Sequence, residues 1–217
     1  MTIRDRIENI LSKLPSTVKL VAVSKLQSIS DILEAYEAGQ RAFGESRSQE
    51  LAAKVAVLPK DIEWHFIGHL QSNKIKMILP HVSLIHSVDS ERLLARIDSQ
   101  AANSGKVVDC LIQLHIAMEE SKQGFPVEEA LELVPNFRDK YPNVRIRGLM
   151  GMASFVDDAE QVRGEFRTLK SAFERLKPEF PQFDTLSMGM SQDWRIAVEE
   201  GATIVRIGST IFGARCY

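Results

Sequence analysis

One lysine and two glycine–serine segments have the residue types and spacing that could do chemistry in this sequence. Lys25 closes the apolar run Lys19-Leu-Val-Ala-Val-Ser24. A lysine near apolar walls loses part of its preference for the charged form, and the neutral amine can attack an aldehyde to give a Schiff base. A lysine at a strand end more often keeps its head in water, so residue chemistry alone leaves both uses open. Ser187-Met-Gly-Met-Ser191 and Arg206-Ile-Gly-Ser209 lie close together near the C-terminus. Their glycines allow a backbone to approach an anion, and their hydroxyls can donate to its oxygens. Turn glycines and ordinary capping are the alternative, with Ser191 as the N-cap of a helix over residues 192–200.

Arg206 could pair with a phosphate or a surface carboxylate, or donate to an aromatic ring nitrogen. A guanidinium keeps its protons, so it would leave a pyridine nitrogen unprotonated and the ring a poor electron sink. His65 and His69 share a strand face if residues 63–69 are a strand. No carboxylate or cysteine completes a metal set beside them, so packed or hydrogen-bonded imidazoles are expected. The acidic Glu119-Glu-Ser-Lys122 reads as a polar loop that could serve as a lid.

These groups need a frame. Ile3, Ile7, Ile10, Leu11 and Leu14 recur at helical spacing and stop at Pro15. Apolar runs then predict strands over 19–25, 41–46, 63–69, 83–88, 108–116, 145–153, 185–190 and 202–212. Helices are predicted between most of them, over 30–38, 49–58, 90–104, 126–140 and 157–177, the fourth with a kink or break at Pro135. Val162, Phe166, Leu169, Phe173 and Leu176 give the last of these a core-facing stripe. Eight strands alternating with helices predict a (β/α)8 barrel in one domain over residues 1–217, with a doubly wound sheet as the rival. The predicted eighth strand leaves no room for a final helix, so the N-terminal helix is expected to cover it with Ile3 and Ile7. In such a barrel active groups gather at the C-terminal strand ends. Those ends carry Lys25, Gly44-Glu-Ser46, His69, Ser87, His115, Met152 and the two glycine–serine segments.

Composition narrows the function classes. The 217 residues are 44% hydrophobic and 26% charged, with a net charge of −2. No basic stripe suggests nucleic-acid binding. No apolar stretch is long enough to span a membrane, and the charged N-terminus is unlike a signal peptide. Cys110 and Cys216 have no metal-ligand spacing, as expected of reduced thiols in the cytoplasm.

Taken together, several phrases resemble the pyridoxal phosphate homeostasis protein family. They are Ala22-Val-Ser-Lys25, Phe43-Gly-Glu45, His65-Phe-Ile-Gly68, Leu70-Gln-Ser-Asn-Lys74, Glu119-Glu-Ser-Lys122, Arg147-Gly-Leu-Met150, Ser187-Met-Gly-Met-Ser191 and 200–208. The likeness runs from Ile3 to Arg215. It implies a barrel like the N-terminal domain of alanine racemase, with pyridoxal 5′-phosphate as a Schiff base on Lys25. It further implies phosphate contacts from Ser187, Gly208 and Ser209, and Arg206 near the pyridine nitrogen. Ser46, His65 and Ser191 complete the expected cofactor-binding set. Ser46 departs from the asparagine common in the family, and Leu114-His115 from a Val-Asn pair. The implied role is to buffer the cofactor or deliver it, with pyridoxal-phosphate-dependent apo-enzymes as the expected recipients, without a defining turnover. A racemase-like enzyme is the alternative, but a two-base racemase needs a second acid/base facing Lys25. Tyr36, Tyr141 and Tyr217 stand at no strand end that could supply it. A barrel without extra elements points to a monomer.

Overall fold

The computed structural model of the chain describes residues 1–119 and 123–213. Short apolar runs buried on both faces form the strands, as parallel sheets require. They are β1 (Lys19–Val23), β2 (Ala42–Glu45), β3 (Glu63–Phe66), β4 (Val82–Val88), β5 (Val108–Gln113), β6 (Val144–Met150), β7 (Thr185–Ser187) and β8 (Ile204–Ile207). Each pairs in parallel with the next, and β8 closes on β1 through registers running from Lys19–Ile204 to Ala22–Ile207. That closure excludes the doubly wound sheet and makes the fold the expected (β/α)8 barrel.

Around it lie α1 (Ile3–Leu11), α2 (Ile29–Glu37), α3 (Ser48–Val57), α4 (Ile75–Ile78), α5 (Glu91–Asn103), α6 (Val127–Lys140), α7 (Ala159–Leu176), α8 (Trp194–Glu199) and α9 (Ser209–Phe212). Local chemistry sets several starts. Thr2 with Asp5, and Ser28 with Asp31, form reciprocal capping boxes at α1 and α2. Asp158 accepts from two amides at the start of α7. The α7 stripe Val162, Phe166, Leu169, Phe173 and Leu176 is buried throughout. No helix among the described residues is long and apolar enough to cross a membrane.

Alternation along the strands divides the core in two. Leu20 and Ala22 of β1 join the large cluster that packs the strands against the helices. Val21, Ala42, Leu84, Leu111, Met150 and Ile204 form a smaller cluster inside the barrel.

Most strands are shorter than the apolar runs suggested, because pairing stops where the chain turns outward at the mouth. β3 ends at Phe66, β5 at Gln113, β6 at Met150 and β7 at Ser187. The largest correction concerns β8, which ends at Ile207 rather than running to 212. The Ile211 and Phe212 amides then donate to Gly208 O, closing the helical turn α9. A final helix therefore does exist. α1 packs beside it, with Arg6 Nη1 donating to Ile211 O at 3.0 Å, and Ile3, Ile7 and Ile10 are buried as expected of a cover. α6 runs unbroken through Pro135. The short α4 after β3 was not anticipated.

If α1 is a structural lid, Ile7→Ala should cost about 2–5 kcal/mol, the usual range for emptying a packed aliphatic site. Urea denaturation followed by circular dichroism measures this. A loss below about 0.5 kcal/mol, as at an exposed position, would contradict the assignment.

Candidate functional site

Lys25 lies two residues beyond Val23, in the turn that follows β1. Its neighbour Ser24 is buried, with Oγ donating to Glu45 Oε1 at 2.6 Å. Behind this wall Lys54 of α3 is buried and donates to Ser24 O at 2.7 Å, Glu45 Oε1 at 2.8 Å and Glu50 Oε1 at 2.6 Å. Glu50 Oε1 also accepts from the Leu26 amide at 2.6 Å. Leu26 is the one non-glycine residue with positive φ (64°) among the described residues. A left-handed leucine costs on the order of 1–2 kcal/mol, and the Glu50 contact offsets that cost. The residues on both sides of Lys25 are thus fastened to one charge cluster. Burial pushes the Glu45 carboxyl upward, and Lys54 and Ser24 oppose that shift.

A second polar thread runs inside the barrel. Arg206 of β8 is only 4% exposed. Its Nη1 donates to Ser187 Oγ at 2.6 Å and its Nη2 to Gly151 O at 3.2 Å. Ser187 Oγ meets His86 Nδ1 at 2.9 Å, and His86 Nε2 meets His65 Nδ1 at 2.8 Å. Burial lowers Arg206 to about 10, which still leaves it cationic at neutral pH. Burial, helped by the Lys19 charge, lowers His65 to about 4, and burial first of all holds His86 well below the ordinary histidine range.

The two glycine–serine segments meet at the C-terminal mouth, where the Gly208 amide donates to Ser191 Oγ at 3.3 Å. Gly189 takes φ +90°, and a Cβ there would stand 2.5 Å from Ala197 Cβ, so only glycine lets this loop lie on α8. A Cβ on Gly208 would stand 3.2 Å from Val23 Cβ, which places the β8 loop directly against the strand that leads to Lys25. Ser209 follows, exposed, at the first position of α9, where an amide has no acceptor within the helix. Ser191 does not cap α8: the residue preceding that helix is Asp193, whose carboxylate accepts from the Met190 amide. Ser191 is left to join the two loops.

The mouth therefore brings together Lys25, Ser46, Ser191, Gly208 and Ser209. Ser46 is half-buried, packed where a Cβ on Gly68 would come 2.3 Å from its carbonyl. Ser187 and Arg206 lie beneath this rim. His65 lies farther down and reaches Arg206 only through His86 and Ser187. It also lines a cavity of about 460 Å³ at the opposite, N-terminal mouth. The charges there satisfy one another, Lys19 with Glu63 and Arg147 with Asp109 and Asp184, so they read as the barrel's polar floor.

His69 is exposed and off the strand, paired with Asp89 at 3.1 Å, and so cannot share a face with His65. Among the described residues no cluster suits a metal ion. His115 Nε2 lies 3.0 Å from Glu119 O and holds the start of its own loop. The rest of the lid segment, Glu120 to Lys122, lies outside the described residues, as does Cys216; Cys110 is buried and reduced. Two functional neighbours were missed. His86 was signalled by an imidazole two residues after Leu84 in an apolar strand, and Lys54 by its position four residues after Glu50.

The donor set suits one kind of molecule. A half-buried amine, a sunken cation and a hydroxyl–amide rim fit an aromatic aldehyde with an anionic tail. The profile of the family described as alanine racemase, N-terminal domain, matches residues 1–216. The chain is 40% identical to the pyridoxal phosphate homeostasis protein of Vibrio alginolyticus, over 100% of this chain and 99% of that one. It is 42% identical to the protein of that name from Pasteurella multocida, over 93% and 88%. PipY of Synechococcus elongatus, solved without PLP, superposes with a TM-score of 0.92 at 39% identity, covering 98% of this chain and 100% of PipY. PipY with PLP bound gives 0.88 at 38% identity, with the same coverage.

Lys54→Met should destabilise the fold by about 3–5 kcal/mol at pH 7, because it leaves carboxylates buried without their cation. Glu45 already titrates high and will take up a proton, so the deficit should shrink as the pH falls towards 5. Denaturant midpoints at the two pH values measure this. A deficit that grows on acidification would contradict the network.

Proposed function

The chain belongs to the pyridoxal phosphate homeostasis protein family, and we propose that it binds pyridoxal 5′-phosphate at the C-terminal mouth of its barrel, as a store and donor of that cofactor. The reading is carried by the convergence, at one mouth, of Lys25, the buried Arg206 cation and the Ser191–Gly208 junction. When bound, the cofactor supplies an aldehyde that condenses reversibly with a primary amine.

Lys25 provides that amine. The Lys54 cluster fixes the backbone on either side of it. Ser191, the Gly208 backbone and Ser209 take the phosphate, using hydroxyl and amide donors where glycine permits close approach. Arg206 would hold the ring nitrogen as a donor and keep a proton off it. Ser187 serves through Arg206, and His65 through His86. Ser46, half-buried against Gly68, would leave more space at the mouth than an asparagine.

The chain's own residues favour holding over turnover. Tyr36 Oη is bonded to Asp61 at 2.7 Å and Tyr141 Oη to Glu91 at 2.8 Å, both remote from the mouth. Tyr217 lies outside the described residues. With the ring nitrogen unprotonated and no tyrosine among the described residues opposite Lys25, proton exchange at an amino-acid α-carbon has neither an electron sink nor a tyrosine base there. We place this protein in the cytoplasm as a monomeric, single-barrel unit that releases its cofactor to apo-enzymes.

Borohydride treatment of cofactor-loaded protein, followed by peptide mass mapping, should put a pyridoxyl group on the peptide containing Lys25 and leave Lys25→Arg unlabelled. Label confined to other lysines would overturn the assignment. Incubation with alanine in deuterated water should give no sustained α-deuterium incorporation. Steady turnover would favour the racemase alternative.

A further inference from the structure

The hydrogen-bonded thread inside the barrel has a direction. Arg206 can only donate, so Ser187 Oγ accepts from it and must place its own proton elsewhere. His86 Nδ1 is the acceptor within reach. In that order His86 would carry its proton on Nε2 and give it to His65 Nδ1, 2.8 Å away. It would put an N–H on His65 Nε2, an atom that is buried and has no protein partner among the described residues. Burial keeps both imidazoles neutral, as this order of donors requires.

Polar side chains at these positions need a reason. Leu84 and Ile204, each two residues earlier on β4 and β8, fill the interior with hydrocarbon. Burying two imidazoles instead costs desolvation that an apolar pair would avoid. What the imidazoles supply is an anchor for Ser187, and through it for one edge of the guanidinium. Gly151 O anchors the other terminal nitrogen. With both edges tied, the plane of the guanidinium is set before any ligand arrives.

We infer that His86, braced by His65 and acting through Ser187, is a positioning residue that fixes the plane in which Arg206 meets the ring nitrogen of the cofactor. This rests on the reading of Arg206 given above. It adds a residue from β4, and it assigns His65 a role through His86.

The test is a double-mutant cycle in the full chain. The probe is pyridoxine 5′-phosphate, which has an alcohol in place of the aldehyde and so cannot bond covalently to Lys25. His86→Leu should weaken its binding about tenfold, the scale of one charge-assisted hydrogen bond. On an Arg206→Met background the same change should add nothing. His86→Asn, whose amide oxygen can stand in for Nδ1, should recover most of the loss. The absorbance maximum of bound pyridoxal phosphate should shift in His86→Leu and return in His86→Asn. Ser187→Ala should reproduce the leucine variant and carries the test if that variant does not fold. Equal losses on both backgrounds, or an unchanged spectrum and affinity in Ser187→Ala, would overturn the inference. Failure of the wild-type chain to bind either phosphate ester would instead overturn the functional reading beneath it.

Discussion

One ammonium group, that of Lys54, sets the conditions for the rest of the site. It is buried behind the barrel wall and donates to a backbone carbonyl and two carboxylates. Removing these charges from water is expensive, and well-packed hydrocarbon would often serve stability as well or better. What hydrocarbon would not do is hold Ser24 and Leu26 at once. The cluster grips the residue before Lys25 by its carbonyl and the residue after it by its amide. It thereby keeps a leucine in the left-handed region at the point where β1 must turn. Lys25 sits between these two held residues.

The barrel uses its two mouths differently. At the N-terminal end, charged residues pair with one another across the floor. At the C-terminal end, the loops after β7 and β8 come together on a hydroxyl–amide contact. Between the ends, the interior is part hydrocarbon and part a line of four polar side chains from His65 to Arg206. Arg206, Ser187 and His86 are each held on two sides in that line, which stiffens them, while His65 Nε2 has no partner among the described residues. Rigidity suits a protein that must present the same amine and cation each time it loads.

Much of this was legible in the residues. Alternation of short apolar runs with helical stripes gave the barrel, and the α7 stripe and the α1 lid faced the core as their spacing required. Lys25 and the two glycine–serine segments stood out because their chemistry is unusual at strand ends. Other features were hidden for physical reasons. Apolarity does not stop where pairing stops, so the run through Ile211 concealed both the end of β8 and the start of α9. Ser191 looked like a cap because any serine before a helix does; only the fold shows Gly208 donating to it. His65 and His69 seemed a pair at strand spacing until the chain left the sheet between them. His86 and Lys54 depend on partners distant in sequence, Ser187 for one and Ser24 for the other, and no local pattern announces such contacts.

The central claim is that one lysine and one pair of loops grip opposite ends of the same molecule. A crystal structure of the chain grown with pyridoxal phosphate tests it most directly. The account predicts continuous density from Lys25 Nζ into the ring, and phosphate oxygens within hydrogen-bond distance of the Gly208 and Ser209 amides and the Ser191 hydroxyl. A ligand found at the N-terminal mouth, or a phosphate turned away from those two loops, would contradict it.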